Sequence, residues 1–509
     1  MKLNQHILLN PKWFLFFSIS LFFSINDLPG QEKIEIVQAN VLKYNRNIDP
    51  ELRKLIGDVI LRHNFTLMYC DSAYFYQNQN HCKAFGNIKI IQGDSLNLTC
   101  DSLNYDGNTY IAAARTNVVF VNKDMTLHTD ILDYNTNTSS AYYYQGGKII
   151  NQEMDLTSIK GQYNANSKTF KFKDSVIVIN PQYIINSDTL EYNSSSKIVY
   201  FLGPTVITSD ENYVYCEYGL YNSVDSISQF EKNAFLKNDD QIIYGDLLYF
   251  NEKKDIGKGR NNVKLYDFKK DIIAEGHKFD FSRNTEIFTI TDSAVLVLIE
   301  NDSLFIHADT IKSEIETDTA GENRLLKAYH NTRFYRNDLQ GKCDSMVYSS
   351  TDSIIKMFTE PVIWSGENQM TSDYVEAYIV NKMFDRVYMK NNAFIIMLAD
   401  TAKFNQVKGR EMMCYFNNNQ LYKIDVEGNG QSIYFIDEAG EYIGMNKVEC
   451  SNLVLHIENK KIKKINTINK PKANLTPIEQ VQRENMKLRG FVWHEGERPL
   501  TKEGIFTEK

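Results

Sequence analysis

The sequence comprises 509 residues with a formal net charge of −8, from 56 lysines and arginines against 64 aspartates and glutamates. A mildly acidic surface argues against nucleic acid as a partner and gives no reason to expect attraction to anionic membranes. The length alone would predict three or four globular domains. The repeat described below predicts one elongated domain instead.

The first 30 residues have the layout of a secretory signal peptide. Lys2 and Lys12 precede a 13-residue apolar run from Trp13 to Ile25, and a polar break follows. This order predicts a leader over residues 1–30 that is removed on export. The run is too short to span a bilayer comfortably, so an uncleaved anchor is only the alternative.

From residue 31 to about residue 470, one unit recurs thirteen times: a small residue, an acidic residue, and an aromatic residue four places further on. Six successive intervals, from Asp101 to Glu275, are all 29 residues, and the last interval is 40. A period of this size predicts supersecondary units stacked on one another. The column of acidic positions reads Asp71, Asp101, Asp130, Ile159, Asp188, Glu217, Asp246, Glu275, Asp309, Asp344, Asp373, Glu411 and Ser451.

Each unit has the pattern of at least two β-strands. In the clearest unit, Leu96, Leu98, Leu103 and Tyr105 alternate with polar residues on either side of Cys100. Alternation of period two, punctuated by Gly, Asn and Asp, predicts strands and therefore an all-β fold. The pattern leaves open whether the stack is a closed solenoid or an open trough. One layer per unit predicts a length of roughly 60 Å, and two layers about 125 Å.

A second column pairs a turn residue with a β-branched strand start, as in Gly86-Asn87-Ile88 and Asn261-Asn262-Val263. This combination predicts a bend that leads into the next rung. The aromatic column predicts a buried ladder of rings that holds the rungs together. The alternative is that part of it lines a groove for an apolar ligand. Its members are Phe75, Tyr105, Tyr134, Tyr163, Tyr192, Tyr221, Phe250, Phe279, Tyr348 and Tyr415.

Five of the seven cysteines precede the acidic position, in a column that otherwise holds mostly small residues such as Thr129 and Ser187. Small volume therefore explains the column. A stacked disulfide such as Cys70 to Cys100 remains possible in an oxidising compartment, although an odd total does not demand it.

The sequence nominates no catalytic residue, cofactor or metal ligand. The acidic column lacks the glycine-rich nonapeptide of calcium-binding solenoids, and His494-Glu495 lacks the second histidine of a zinc-protease helix. After residue 470 the pattern changes. Thr476-Pro477-Ile478-Glu479 predicts a helix start, so residues 471–509 are predicted to form a short helix, ending near Leu488, and a tail. The tail's Phe491 and Trp493 would cap the stack or dock on a partner.

Several phrases resemble the A-D-x-L-x-Y-D phrase of the OstA/LptA family, the periplasmic lipopolysaccharide-transport group named after organic solvent tolerance protein A. They are Cys100-Asp101-Ser-Leu103-Asn-Tyr105-Asp106, Thr129-Asp130-Ile-Leu132-Asp-Tyr134-Asn135 and Ser187-Asp188-Thr-Leu190-Glu-Tyr192-Asn193. Ala84-Phe-Gly86-Asn87-Ile88 is similar to that family's A-x-G-N-V phrase. The resemblance covers roughly residues 31–470.

The resemblance implies an elongated, solenoid-like β-jellyroll or β-taco of about thirteen 29-residue repeats. Its interior would hold the lipid A acyl chains of lipopolysaccharide in the periplasm. Members stack edge strand to edge strand with other β-jellyroll proteins of a bridge toward the outer membrane. Transport is passive, so no enzyme activity is expected. The residues expected to line the groove are Ile88, Leu103, Val118, Leu132, Val176, Leu190, Leu248 and Val263.

Two other classes remain open. In a structural or adhesive cell-surface solenoid, the same eight residues would be ordinary core, and the exposed face would carry the function. A polysaccharide-degrading β-helix enzyme would need clustered acids or bases on one face. The chain is also much longer than the usual soluble bridge protein, so one chain would replace several stacked copies.

Overall fold

Most residues between 35 and 477 lie in β-strands, and all the strand pairs are antiparallel. The computed structural model describes residues 32–506, except for 46, 48, 94–95, 123–124, 152–153, 283, 286, 300–301, 319–320, 350, 382, 439 and 460. The predicted leader, residues 1–30, lies outside the described residues. All strands belong to one sheet, which confirms the all-β fold and its elongated jellyroll form.

Twenty strands form the N-terminal half of this sheet. They are β1 Glu35–Gln38, β2 Val41–Tyr44, β3 Leu52–His63, β4 Thr66–Tyr76, β5 His81–Gln92, β6 Leu96–Asp106, β7 Ile111–Asn122, β8 Met125–Asn135, β9 Ser140–Tyr143, β10 Gly147–Ile150, β11 Asp155–Ser158, β12 Lys160–Asn164, β13 Thr169–Ile179, β14 Ile184–Asn193, β15 Ile198–Phe201, β16 Thr205–Thr208, β17 Tyr213–Cys216, β18 Tyr218–Asn222, β19 Ile227–Lys237 and β20 Gln241–Asn251.

Eighteen strands form the C-terminal half. They are β21 Ile256–Asp267, β22 Ile272–Ser282, β23 Ile287–Leu298, β24 Leu304–Asp318, β25 Gly321–Arg336, β26 Leu339–Ser349, β27 Ile354–Phe358, β28 Val362–Ser365, β29 Asn368–Thr371, β30 Tyr374–Val380, β31 Met383–Lys390, β32 Phe394–Leu398, β33 Phe404–Lys408, β34 Glu411–Asn417, β35 Gln420–Glu438, β36 Glu441–Glu458, β37 Lys461–Ile468 and β38 Lys472–Pro477. Five 3-10 turns lie at Glu252–Lys254, Ile478–Gln480, Arg483–Met486, Glu495–Glu497 and Lys502–Phe506.

The strands form rungs of a single meander. Eighteen rungs consist of one continuous strand and ten of two short strands in line, such as β15 with β16, so the 38 described strands make 28 rungs. Each sequence unit therefore supplies a hairpin of two rungs. At about 4.8 Å per rung the stack is about 130 Å long, which agrees with the longer of the two predicted lengths.

Every rung bends at its middle, and this corner divides the molecule into two walls. The half-strands joined by turns such as residues 180–183 form the first wall, and those joined by turns such as residues 107–110 form the second. The edge opposite the corner, where the walls meet without a shared ladder, is the mouth. The strand register shifts at the corner, for example between Thr99 and Ser102 in β6.

The corner is built by the two columns that the sequence predicts. On one rung two consecutive residues have left-handed backbone, such as Asn261 and Asn262 with φ of 55° and 51°. On the facing rung sits the acidic residue, and the asparagine amide donates to it: Asn262 Nδ2 lies 2.9 Å from Asp246 Oδ2. Equivalent bonds recur along the corner. They join Asn87 to Asp71, Asn117 to Asp101, Asn233 to Glu217, Asn331 to Asp309, and Asn392 to Asp373.

The acidic column is misplaced by the sequence analysis in two units. In β22 the register shift falls between Glu275 and Lys278, so His277 occupies the corner, and Glu275 faces outward against Lys264 at 2.7 Å. Before β34 the corner residue is Arg410, whose amide donates to Gly428 O. The cause is the same in both units: the true corner lies more than 29 residues after the preceding corner, and a nearby acid resembles the expected corner residue.

The interior between the walls is apolar and continuous along the stack. One cluster of buried residues runs from Ile34 to Leu248 and a second from Val263 to Ile462. The two are bridged by Ile243, which packs against both. Inward-facing residues alternate with exposed ones along the rungs, as in β6 and β7. The burial of apolar surface between the walls therefore stabilises the bend.

The predicted C-terminal helix is wrong. Pro477 ends β38, and two 3-10 turns follow in place of an α-helix. Residues 478–506, here called the strap, run back along the outer face of the first wall. Leu488 packs with Phe394 and Phe435, whereas Ile505 packs with Val295 and Val297. The strap therefore covers the rungs from β36 back to β23.

Two buried glutamines fasten the strap. Gln406 donates from Nε2 to Met486 O at 2.7 Å and accepts from Leu488 N at 2.8 Å. Gln369 repeats this pattern with Val492 O at 2.8 Å and His494 N at 2.7 Å. Each side-chain amide thus pairs with the strap backbone as a neighbouring strand would.

The seven cysteines are all free thiols, so the stacked disulfide between Cys70 and Cys100 is not formed. Of the residues that the structure describes, none belongs to a helix long and apolar enough to cross a bilayer.

Candidate functional site

The eight residues predicted to line a groove all lie in the interior beside the corner. Ile88, Val118, Val176 and Val263 begin the first-wall half of their rungs, and Leu103, Leu132, Leu190 and Leu248 begin the second-wall half. Their exposed fractions are between 0% and 3%. Together they form the floor of the space between the walls. There they are packed against other residues of the chain and are not in contact with solvent.

The interior is filled rather than hollow. In two units glycine replaces the leucine of this column, and a neighbouring ring takes the space: Tyr143 lies against Gly161, and Phe201 against Gly219. An apolar cavity of about 20 Å³ remains beside Gly161, lined by Phe120, Leu127 and Phe172 among others. Sites for drug-sized ligands have volumes of about 300–1,000 Å³. An acyl chain therefore needs the walls to move apart.

Polar contacts close the mouth at its N-terminal end. The Tyr105 hydroxyl of the second wall lies 2.6 Å from Nδ1 of His63 on the first wall, and the imidazole stacks on Tyr110 at 4.9 Å. Burial raises the pKa of Tyr105, so its hydroxyl stays protonated and available as a donor. Gln92 Nε2 donates to Thr136 O at 2.6 Å in the next unit.

The C-terminal end of the mouth is closed in the same manner. Asn419 Nδ2 donates to Asp338 Oδ2 at 2.7 Å, and Lys461 Nζ forms an ion pair with Asp437 at 2.6 Å. Each contact joins a residue of the second wall to one of the first. Separation of the walls at either end must therefore break side-chain hydrogen bonds.

Between these ends the mouth is lined by apolar side chains that are only half buried. They face inward but pack incompletely against the core, so they present an apolar surface at the opening. On the second wall the row comprises Tyr163, Phe170, Tyr192, Val199, Tyr221, Phe250, Phe281 and Phe288, and on the first wall Ile207, Leu236, Ile243 and Leu265. Phe170 stacks between Tyr163 at 4.5 Å and Tyr192 at 6.3 Å.

The sequence analysis predicted only some of the residues in this row. Tyr163, Tyr192, Tyr221 and Phe250 belong to the predicted aromatic column, for which a buried ladder and a groove lining were both considered. Tyr105 and Tyr134 of the same column are fully buried. Tyr415 does not belong to it, because the corner of that unit is Arg410 and the buried Cys414 takes the interior place. What separates the half-buried rings from the buried ones is the facing wall, which the repeat pattern does not encode.

A polar cleft of about 740 Å³ lies outside the corner, lined by Asp373, Asn392, Lys408, Arg410 and Asn429 among others. The cleft forms where Arg410 occupies the corner position that an acidic residue holds in most other units. The cleft is separate from the apolar interior. Within the described part of the chain, no three His, Cys, Asp or Glu side chains stand close enough to hold a metal ion.

Comparison with known protein families finds a match, which covers the N-terminal part of the chain. The profile of the family described as OstA-like protein matches residues 31–188, which contain β1 through β13 and the first half of β14. No curated protein sequence matches the chain significantly.

Two solved structures share limited similarity. One is LptH, the LptA homologous periplasmic component of the lipopolysaccharide transport device from Pseudomonas aeruginosa, at 11% identity over 28% of this chain and 97% of that one, with a TM-score of 0.22. The other is the WD40 domain of SCAP from fission yeast, at 10% identity over 83% of this chain and 94% of that one, with a TM-score of 0.11. TM-scores this low support no argument. Residues 31–188 match the OstA-like protein family, which agrees over that segment with the resemblance that the repeated phrases predicted.

Proposed function

We propose that the chain is a periplasmic carrier that binds the acyl chains of lipopolysaccharide between its two walls and passes the lipid toward the outer membrane. The observation that carries this proposal is the half-buried apolar row at the mouth, in a chain that begins with an OstA-like domain. A transport role of this kind requires no catalytic residue. The predicted leader over residues 1–30 would direct the chain to the periplasm.

The energetics favour a lipid at this opening. Transfer of ten methylene groups from water to an apolar surface stabilises the complex by about 8 kcal/mol. The rings from Tyr163 to Phe288 already stand at the opening, so the first methylenes can bind without disruption of the floor. The sugar would remain outside, where the turns and outer faces are polar.

Deeper entry would engage the eight floor residues. Leu132 and Val118 are fully packed, so the acyl chain must replace contacts that the two walls now make with each other. Such an exchange of one apolar neighbour for another is nearly neutral in hydrophobic energy, whereas the polar contacts at the two ends hold the walls together. We therefore place the point of entry in the middle of the mouth.

The two ends of the stack suit edge-to-edge assembly. Among the described strands, the first rung, β1 with β2, pairs with β3 alone, and the last, β37 with β38, pairs with β36 alone. Each rung therefore has an outer row of backbone groups that no described strand pairs with, and such a row is a template for another strand. Other β-jellyroll proteins of a lipopolysaccharide bridge are the partners that we propose for these edges.

A structural or adhesive rod is the second candidate. The observation that favours it is the filled interior, in which the apolar cavity beside Gly161 measures only about 20 Å³. A rod needs such packing along its whole length, whereas a carrier needs walls that part.

Photo-crosslinking separates the two functions. Benzoylphenylalanine replaces Tyr192, which faces the interior at the mouth, or Tyr200, which lies on the next rung with its side chain on the outer face of the second wall. Both residues are half-buried tyrosines, so Tyr200 is a matched control. Purified chain is irradiated with lipopolysaccharide and the adducts are measured by mass spectrometry.

The carrier predicts adducts from Tyr192, and also from the floor positions Leu132 and Leu190, but not from Tyr200. Equal labelling at Tyr192 and Tyr200, or labelling at Tyr200 alone, would reject it in favour of the rod.

A further inference from the structure

One column on the outer face of the first wall changes its chemistry along the stack. It lies four residues before the corner residue of each unit. Its members are Leu67, Asn97, Thr126 and Asp155 in the first units, Ile184, Tyr213, Ile242 and Ile273 in the middle, Phe305 next, and Gln340, Gln369 and Gln406 near the C-terminal end. The column is therefore mainly polar at one end, apolar in the middle, and amide-bearing at the other end.

The amide-bearing part has an identified occupant, the strap. Gln369 and Gln406 pair with the strap backbone, and Gln340 Oε1 accepts from Nε and Nη2 of Arg498 at 2.9 Å and 2.6 Å. The strap ends beside the apolar part. Ile505 is 1% exposed against Val295 and Val297, and the Phe506 ring lies 4.8 Å from that of His307.

Beyond the strap the same face remains apolar, and no described segment of the chain covers it. We call Ile184, Tyr213, Phe235, Ile242, Tyr244 and Tyr266 the outer strip. Ile184, Tyr213 and Tyr244 are 42%, 38% and 39% exposed. The rings form a connected row: Phe235 is 5.7 Å from Tyr213 and 5.6 Å from Tyr244, which is 6.1 Å from Tyr266.

The second wall provides the contrast. Over the same rungs its outer face carries the row Lys171, Glu191, Tyr200, Leu220, Gln229, Tyr249, Lys258 and Asp280. Charged and amide side chains flank and interrupt the apolar ones in that row, whereas the rings of the outer strip contact one another. A connected row of rings on the first wall marks an interaction surface.

We propose that the outer strip binds an extended, apolar segment of a partner protein, laid along the stack in line with the strap. The strap sets the precedent, because it crosses successive rungs of this same face as a single segment and places Leu488, Phe491 and Trp493 against it. The strip continues that interface from β22 toward β14 without a break in the sheet.

The dimensions of the strip select this occupant over a second copy of the chain. From β14 to β21 it spans six rungs, or about 24 Å, and two columns of side chains make it about 12 Å wide. The area is then about 290 Å², well under half of the roughly 800 Å² per partner of a stable protein interface. One extended segment fills such a strip, whereas two flat walls would bury too little against each other.

The chemistry of the segment follows from what the strip lacks. Isoleucine and tyrosine stand where the strap's track has glutamine, so the strip cannot pair with a backbone through side-chain amides. The segment must therefore be held by its own aliphatic and aromatic side chains, with the tyrosine hydroxyls and Lys237 as hydrogen-bond donors at the border.

The test selects peptides against the full chain from a phage-displayed random 16-residue library. We expect apolar, aromatic-containing peptides whose affinity falls at least tenfold for the double variant Phe235→Ser with Tyr244→Ser. The matched control is Tyr200→Ser with Tyr249→Ser on the outer face of the second wall, which should leave the affinity unchanged. Circular dichroism establishes that both double variants are folded.

Any of four results would overturn the proposal. The selected peptides could bind both double variants equally, or depend on Gln369 and thus on the strap's own track. The chain could dimerise through the strip, with dimerisation lost in Phe235→Ser and Tyr244→Ser, which would make a second copy the occupant. Vesicles of phosphatidylethanolamine and phosphatidylglycerol could bind the chain in a strip-dependent manner, which would make a lipid surface the occupant.

Discussion

Asparagine is suited to the corner for two separate reasons. It adopts left-handed backbone more readily than other residues with a side chain, and its amide reaches the acid of the facing rung. Gly86 satisfies only the first requirement, and a Cβ there would collide with the Asp71 carboxylate. The acidic column is thus explained by the side-chain hydrogen bonds at the corner.

Substitution at Asn262 should separate the two contributions. Asn262→Gly keeps the backbone conformation and loses the bond to Asp246, whereas Asn262→Ala loses both. We expect local destabilisation of about 1 kcal/mol for glycine and about 2 kcal/mol for alanine. Hydrogen exchange of the amides in β20 to β22 measures the local opening free energy. Equal effects of the two substitutions would show that the backbone conformation contributes nothing.

The cysteines should be unreactive in the folded chain. Burial raises the pKa of Cys70 and Cys100 to about 11, and that of Cys216 and Cys343 to about 12. Each pKa lies above the usual value, so at pH 8 the reactive thiolate is scarcer than in an exposed cysteine. Cys450, the one that is not fully buried, should react first with a thiol reagent.

The measurement is the time course of modification at pH 8, with the modified peptides identified by mass spectrometry. Chain unfolded in urea serves as the control and should react at all seven positions. Rapid modification of Cys82 or Cys414 in the folded chain would contradict the packed interior.

At the scale of elements, the strap is the part that the sequence analysis missed. A sequence pattern that indicates the strap is nevertheless present in the strands that it covers. Ala294-Val-Leu-Val297 and Phe394-Ile-Ile-Met397 are buried at every position, whereas β6 and β7 alternate. A continuous apolar run indicates a strand covered on both faces. The helix start at Thr476 failed because β38 extends through Pro477, and pairing with β36 outweighs local capping.

Loss of one strap contact should loosen the segment. Gln369→Ala removes two hydrogen bonds and leaves the strap's Val492 carbonyl and His494 amide without their partner. A cost of about 1–3 kcal/mol corresponds to roughly 5- to 150-fold faster exchange of the strap amides. Gln420→Ala, at the exposed first residue of β35, is the control. Unchanged exchange near residue 494 would mean that the apolar contacts alone hold the strap.

The repeat was readable from sequence because hairpins of equal length return the same chemistry to the same place. The predicted corner positions were wrong where the distance between successive corners changed. Ala274-Glu275 resembles a corner, but the chain reaches its corner two residues later, at His277. The floor residues followed from the leucine and valine columns, and the structure puts them inside. Their role in lipid binding remains a proposal, since closure of the mouth depends on contacts between different units, such as that of His63 with Tyr105, which the repeat pattern does not encode.

At the scale of the whole molecule, length follows from the number of rungs. Solution scattering should give a maximum dimension of about 130 Å, because 28 rungs stack at about 4.8 Å each. Deletion of residues 96–124, which contain β6 and β7, should shorten the particle by about 10 Å without loss of strand content. A maximum dimension near 60 Å in the full chain would contradict the two-rung unit.

The pairing of rungs in chain order also affects how the protein is made. Each new hairpin pairs with one that has already left the ribosome or the export channel, so no early strand waits exposed for a distant partner. The exception is the strap, which is among the last segments to emerge and binds rungs completed well before it. Biogenesis would then proceed as a zipper that starts at the N-terminus, and the docking of residues 478–506 would mark its completion.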